Sequence, residues 1–356
     1  MKKILFALFL FLIDGISMFL FHRYPDLFFP YYRDFSKGWI AFLSSLSSGL
    51  PFAIWDISAL FLLLAAIISL LHVLLKRKSF LKWLSNVFLT VSILCFAAVM
   101  GWMLNHYGPD LREELSMETR TYTVEELYEA CDYYLLQAKE YALMMSRDEQ
   151  GHLLPMDFDD LAVQCGSAYL SLSEEYPIFK GSTARVKKLS LVGEYLMYNG
   201  IIGMFMPITG EAGIPEHVPD AVKAFTMAHE AGHRLGLAGE EEANYAAFLA
   251  CIHNEDIHLI YSGYYSAFSY CFSSLYRNDS EMAMELYEKY DDPGIELLKL
   301  DRKDTSKIHR NYESKLQDIS DQINDTYLKT FSQQDGILSY GKVTEYLIAY
   351  YFSTNN

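Results

Sequence analysis

Apolar residues run almost unbroken through the first hundred positions, then recur at helical spacing among polar ones. Three of the early runs, 4–21, 57–75 and 83–104, are long enough to cross a bilayer, which takes about 20 apolar residues at helical rise. Only the first carries an acid, Asp14, which fits either a function inside the membrane or a kink and helix-packing contact. Met1-Lys2-Lys3 before an apolar run is also how a signal peptide starts. No A-x-A-like cleavage site follows and two further spans do, so the first run is read as an uncleaved span. Residues 39–50, apolar and Ser-rich, read as a short interfacial helix in the loop between the first two spans.

Beyond residue 104 the pattern is mainly helical. A helix is expected over 124–145, with Thr123 as N-cap and Glu126 completing a capping box. Another is expected over 157–175, stopped before Pro177, and others over 221–235, 240–253 and 260–276. Gly and β-branched residues in 185–212 predict a short strand or hairpin, placed at a sheet edge because Pro207 cannot donate to a ladder. Residues 291–304 read as a connection, and the helices after them break at Asp335-Gly336. The expected fold class is therefore mainly α: three N-terminal transmembrane helices (1–104), then an α-rich α+β domain (105–356) with a small sheet.

Charge sharpens this division. Residues 1–104 hold nine of the 29 Lys/Arg and four of the 45 Asp/Glu, so 105–356 carry 20 against 41. An acidic domain of this kind argues against a nucleic-acid partner. Lys2 and Lys3 precede the first span, and Lys76, Arg77, Lys78 and Lys82 join the second to the third. By the positive-inside rule these ends are cytoplasmic and the C-terminal domain lies outside the cytoplasm, on a multi-pass cell-membrane protein. Cys131, Cys165, Cys251 and Cys271 lie in that domain, where disulfides are permitted and buried free thiols equally so.

The chemistry-bearing motif is His229-Glu230-Ala231-Gly232-His233. Residues four apart on a helix share a face, so two imidazoles can share one metal, and the Glu beside the first can take a proton from metal-activated water. Asp220 is placed to N-cap this helix and Gly236 to end it. A zinc hydrolase needs a third protein ligand. Glu240 and Asn244 open the next helix four residues apart, so Glu240 can ligate Zn2+ while Asn244 supports a ligand histidine. Glu242 lies 200° round that helix and is the alternative ligand. The bland reading of all three acids there is a helix N-terminus that favours negative charge. His253 and His258, nearby in sequence, are lesser alternatives.

Thr209-Gly-Glu-Ala212, the HExxH, Glu240-Glu-Glu-Ala-Asn244, Tyr261-Ser-Gly-Tyr264 and Ser339-Tyr-Gly341 occur in the order that marks a bacterial family of membrane-anchored proteins. The chain resembles that family, the domain of unknown function numbered 3810, over nearly its whole length. The resemblance implies a gluzincin-like zinc-metallopeptidase domain, with Glu240 as third ligand and Asn244 as its support. The short spacing from His233 to Glu240 departs from many gluzincins and keeps Glu242 open. It further implies that an edge strand at 203–210 pairs with extended substrate, and it makes Tyr264 or Tyr340 candidate donors to the transition state.

Together these point to a membrane-anchored metallopeptidase: Zn2+ on His229, His233 and Glu240, Glu230 as proton acceptor, and a peptide or protein substrate. A non-catalytic zinc-containing binding or sensing domain is the alternative. A transporter is a weak third, since three spans with one acid offer little to line a pore.

Overall fold

The computed structural model describes residues 2–117, 120–314 and 341–355, with 317, 322 and 326 between them. The protein is mainly helical, with a three-stranded sheet. Helices α1 (Lys2–Arg23), α3 (Ile54–Leu75) and α4 (Phe80–Gly101) are long and apolar enough to cross a membrane, which suits insertion in one. Many of their large apolar side chains, among them Leu5, Phe61, Leu63 and Ile68, face outward uncovered by protein, as lipid-facing side chains do. Asp14 is buried in α1, and neither of its oxygens has a hydrogen-bond partner among the described residues. Lys3 Nζ reaches Asn86 Oδ1 at 2.6 Å, so the amino terminus lies beside the start of α4.

The connection between α1 and α3 differs from expectation. In place of a short helix at 39–50, α2 (Pro25–Ser47) runs for 23 residues with Pro30 inside it. Pro25 sits in the first turn, where no N–H is needed. Phe29, Tyr32, Ser36, Ile40, Ser44 and Ser47 form its buried stripe at helical spacing. Ile40 packs in one cluster with Trp102, Phe205, Ala212 and Ala238. Residues 25–56 thus join the apolar helices to the rest of the chain.

After a 3-10 turn at Met103–Tyr107 come α5 (Leu111–Glu114), α6 (Val124–Ala142), α7 (Phe158–Ser167), α8 (Leu170–Glu175) and α9 (Gly193–Tyr198). Then follow α10 (Asp220–Arg234), α11 (Glu240–Ile252), α12 (Ile257–Asn278), α13 (Ser280–Glu288), α14 (Pro293–Asn311) and α15 (Val343–Asn355). The capping box at Thr123 and Glu126 opens α6 as the sequence predicts. The single helix expected at 157–175 is two, separated near Tyr169, whose buried hydroxyl donates to the Ala228 carbonyl. The connection expected at 291–304 is instead α14. Asp292 caps it by accepting from Gly294 N, so Asp-Pro-Gly marks a helix start and not a turn. Asp335-Gly336 lies outside the described residues.

Strands β1 (Lys187–Leu189), β2 (Met204–Met206) and β3 (Glu211–Pro215) form the sheet in the order β1-β3-β2. β1 is parallel to the fully buried β3, and β2 is antiparallel to it at the edge. Phe52 bridges Lys188 on the other side, so chain leading into α3 covers β1. Helices α6, α10, α11, α12 and α15 share the principal core. Cys131, Cys165, Cys251 and Cys271 are buried there as free thiols.

Candidate metal centre

Helix α10 buries Ala224, Phe225, Ala228 and Ala231 along one face, which fixes its rotation. Asp220 does not cap it as expected. Pro219 holds that position, and the Asp220 carboxylate takes Lys223 Nζ at 2.5 Å. Gly236 does end the helix, with φ +94°, a conformation costly for other residues. The turn it makes returns the chain so that Gly239 precedes α11. Ala243, Ala246, Ala247 and Ala250, all fully buried, let α11 lie close to α10.

This brings His229, His233 and Glu240 together, one donor atom from each lying within 4.8 Å of the others. The two imidazole Nε2 atoms are 3.0 Å apart. Glu240 Oε2 is 3.3 Å from His229 Nε2, and Oε1 is 3.8 Å from His233 Nε2. Nitrogen and oxygen ligands about 2.0–2.1 Å from a tetrahedral zinc would be about 3.3 Å apart, so the donor set fits that ion. Nδ1 of His233 donates to the Leu237 carbonyl at 2.7 Å, leaving the Nε2 lone pair for a metal. Asn244, one turn beyond Glu240, lies beside His229, but its Nδ2 and the Nδ1 of His229 are both buried with no hydrogen-bond partner among the described residues. Asn244 Oδ1 accepts from Tyr270 Oη at 3.0 Å. Glu242 is turned away, and its Oε1 accepts from Leu111 N at 2.8 Å.

Burial dominates the electrostatics. It pushes the Glu230 carboxyl up to about 8, and Oε2 of Glu230 is buried with no partner among the described residues. Burial acts upward on Glu240 as well, but the His229 hydrogen bond and the neighbouring histidines hold it down at about 2. His233 is pushed down to about 4 by burial and by the charge on His229. Without an ion the four groups crowd like and unlike charges together, and a divalent cation would relieve this.

The group opens into a cleft of about 970 Å³. It is lined by β2 and its flanks, by α10, α12 and α14, and by Ala98, Trp102, Met103 and His106. Gly203 lies against Glu230: a Cβ there would fall 2.3 Å from Oε1. Trp102 Nε1 donates to the His233 carbonyl at 2.8 Å across 131 residues of sequence. His106, four residues on, is buried beside His233 and Glu240. Sequence spacing gave no signal for Trp102, His106 or Tyr270, because their proximity is tertiary. Tyr264, a candidate donor, is packed against Tyr141 and Phe248 in the core, away from the cleft. Tyr340 lies outside the described residues. His253 and His258 are held by the Leu249 carbonyl and Asp256, outside the three-donor group.

A family model described as protein of unknown function (DUF3810) matches residues 31–348. No curated protein and no solved structure matches the chain.

Proposed function

We propose that this chain, which belongs to the DUF3810 family of proteins of unknown function, is a membrane-inserted zinc-dependent peptidase. The observation that carries the reading is the convergence of His229, His233 and Glu240 on one point, with the Glu230 carboxylate in the same cleft. Zinc on those three residues would polarise a peptide carbonyl and make a bound water acidic. Glu230 accepts the proton of the attacking water and returns it to the departing amine. Its burial suits the role, since a carboxyl with a raised pKa both takes and gives a proton near neutrality. His233 is oriented by Leu237, and Asn244 lies beside His229. β2 offers an edge to which an extended peptide can add as a strand.

The reading places the site outside the cytoplasm. Lys76, Arg77 and Lys78 join α3 to α4, at the end where Lys3 meets Asn86. The site is joined to the opposite ends of these helices, at Ile54 and Trp102. A basic end facing the cytoplasm leaves the site on the other side.

The test is metal content and hydrolysis of a peptide pool by the full chain in detergent. Expected are one zinc per chain, lost in Glu240→Ala and kept in Glu242→Ala. Glu230→Gln should keep the metal and slow hydrolysis about 10²–10⁴-fold. A Glu230→Gln protein as fast as wild type would overturn the assignment. Zinc bound with no hydrolysis by wild type would favour a sensing domain instead.

A further inference from the structure

One wall of the cleft is the last turn of an apolar helix and the chain that follows it. That wall includes Ala98, which lies inside α4, and continues through Trp102 and His106 at one-turn intervals. At 1.5 Å per residue, Ala98 is about 4.5 Å below the end of α4 at Gly101. Trp102 then touches the metal helix directly: its ring centroid is 6.1 Å from that of His233, and its indole N–H holds the His233 carbonyl.

The sheet side is fastened to the start of α3 in the same manner. Asp56, in the first turn of α3, accepts the N–H groups of Ser190, Leu191 and Val192 at 2.8–2.9 Å. Glu211 on β3 accepts from Ile54 N and Trp55 N at 3.0 and 3.1 Å. Both carboxylates are buried. These five charge-assisted bonds fix the sheet at the mouth of α3, as the Trp102 bond fixes α10 at the mouth of α4. Leu191, in the segment that Asp56 holds, and Tyr195, in α9 just after it, are 53% and 61% exposed, as residues dipping into a bilayer interface would be. The lining of the cleft thus runs from Ala98 in the last turn of α4 past the three donors to Arg302, Thr305 and His309 on α14, so one of its walls belongs to a membrane-spanning helix.

We infer that the site takes polypeptides anchored in the same membrane and acts on their first few residues beyond the bilayer. This rests on the peptidase reading above and names its substrate class. An extended chain covers about 3.3 Å per residue. The rise of about 4.5 Å from Ala98 to the end of α4 and the 6.1 Å from Trp102 to His233 together correspond to about three residues from the anchor.

The test uses the full chain in phospholipid vesicles. One peptide library is joined to a transmembrane helix through spacers of increasing length, and the same library is supplied free. Wild-type cut sites are mapped by mass spectrometry. In parallel, a photocrosslinker on Ala98→Cys in a Glu230→Gln background reports occupancy without cleavage, with the Glu230→Gln parent as control for Cys95. The inference expects cuts within about three residues of the anchor whatever the spacer length, and crosslinks to the anchored peptide at least ten-fold above the free one. Cuts that follow sequence and ignore distance from the anchor would overturn it, as would equal crosslinking of both forms. Crosslinking of the anchored peptide without cutting would retain the inference about the occupant and remove the hydrolysis. Cutting of free peptide alone would do the reverse, and neither signal would remove both.

Discussion

Single atoms decide the chemistry of this site. Glu230 has room only because residue 203 has no side chain. Gly203→Ala should push the Glu230 carboxylate aside while leaving the three donors in place. The expected outcome is hydrolysis slowed about 10²-fold with zinc content unchanged, measured on the same preparation. Loss of zinc together with activity would show that the damage reached the donors. The sequence made His229, Glu230, His233 and Glu240 legible because helical spacing alone sets their faces. It also ranked Glu240 above Glu242, and the 200° between them is why Glu242 meets Leu111 and not the histidines. Gly203, Trp102 and His106 were illegible, since nothing local ties them to α10.

Elements were legible where their periodicity was strong and hidden where a charged face carried a tertiary role. The apolar helices and α6, α10, α11 and α12 followed their hydrophobic patterns closely. α14 did not, because its polar residues looked solvated. Asp301 on that helix is buried, takes both terminal nitrogens of Arg147 at 2.8 Å, and accepts from the Tyr261 hydroxyl. With side-chain exposures of 9% and 1%, Arg147 and Asp301 cannot fall back on water. Asp301→Asn should therefore destabilise the protein by about 3–5 kcal/mol, because the guanidinium keeps the Ala142 and Gly151 carbonyls but loses its countercharge. A denaturant melt of the full chain in detergent, compared with wild type, measures this. A shift near zero would mean that water reaches Arg147. α2 was hidden for a different reason: only its apolar, Ser-rich end at 39–50 stood out locally, whereas the buried stripe of Phe29, Tyr32 and Ser36 is set by tertiary packing.

At the scale of the whole molecule, the charge asymmetry suggested a cut between membrane and soluble portions at residue 104, and the contacts run across that line. Lys187 is buried, and its ammonium donates to the Ser47 and Leu50 carbonyls, both at 2.5 Å. Removing residues 1–104 would strand that charge together with Glu211, and would expose the cluster that Ile40 and Trp102 complete. The fragment 105–356 should aggregate or melt without cooperativity, whereas the full chain in detergent melts sharply. Size-exclusion chromatography and a thermal scan distinguish the outcomes, and a monomeric, cooperative fragment would refute the dependence. The tie between Trp102 and His233 also bears on biogenesis. Translation proceeds from the amino terminus, so α2 and the apolar helices are synthesised before α10 exists, and α15, whose Leu347 carbonyl receives the Tyr134 hydroxyl, comes among the last. A nascent chain cannot complete the cleft before its anchoring segments have been made. Covalent order thus means that α10 and its donors fold against a wall, at Trp102, that is already in place.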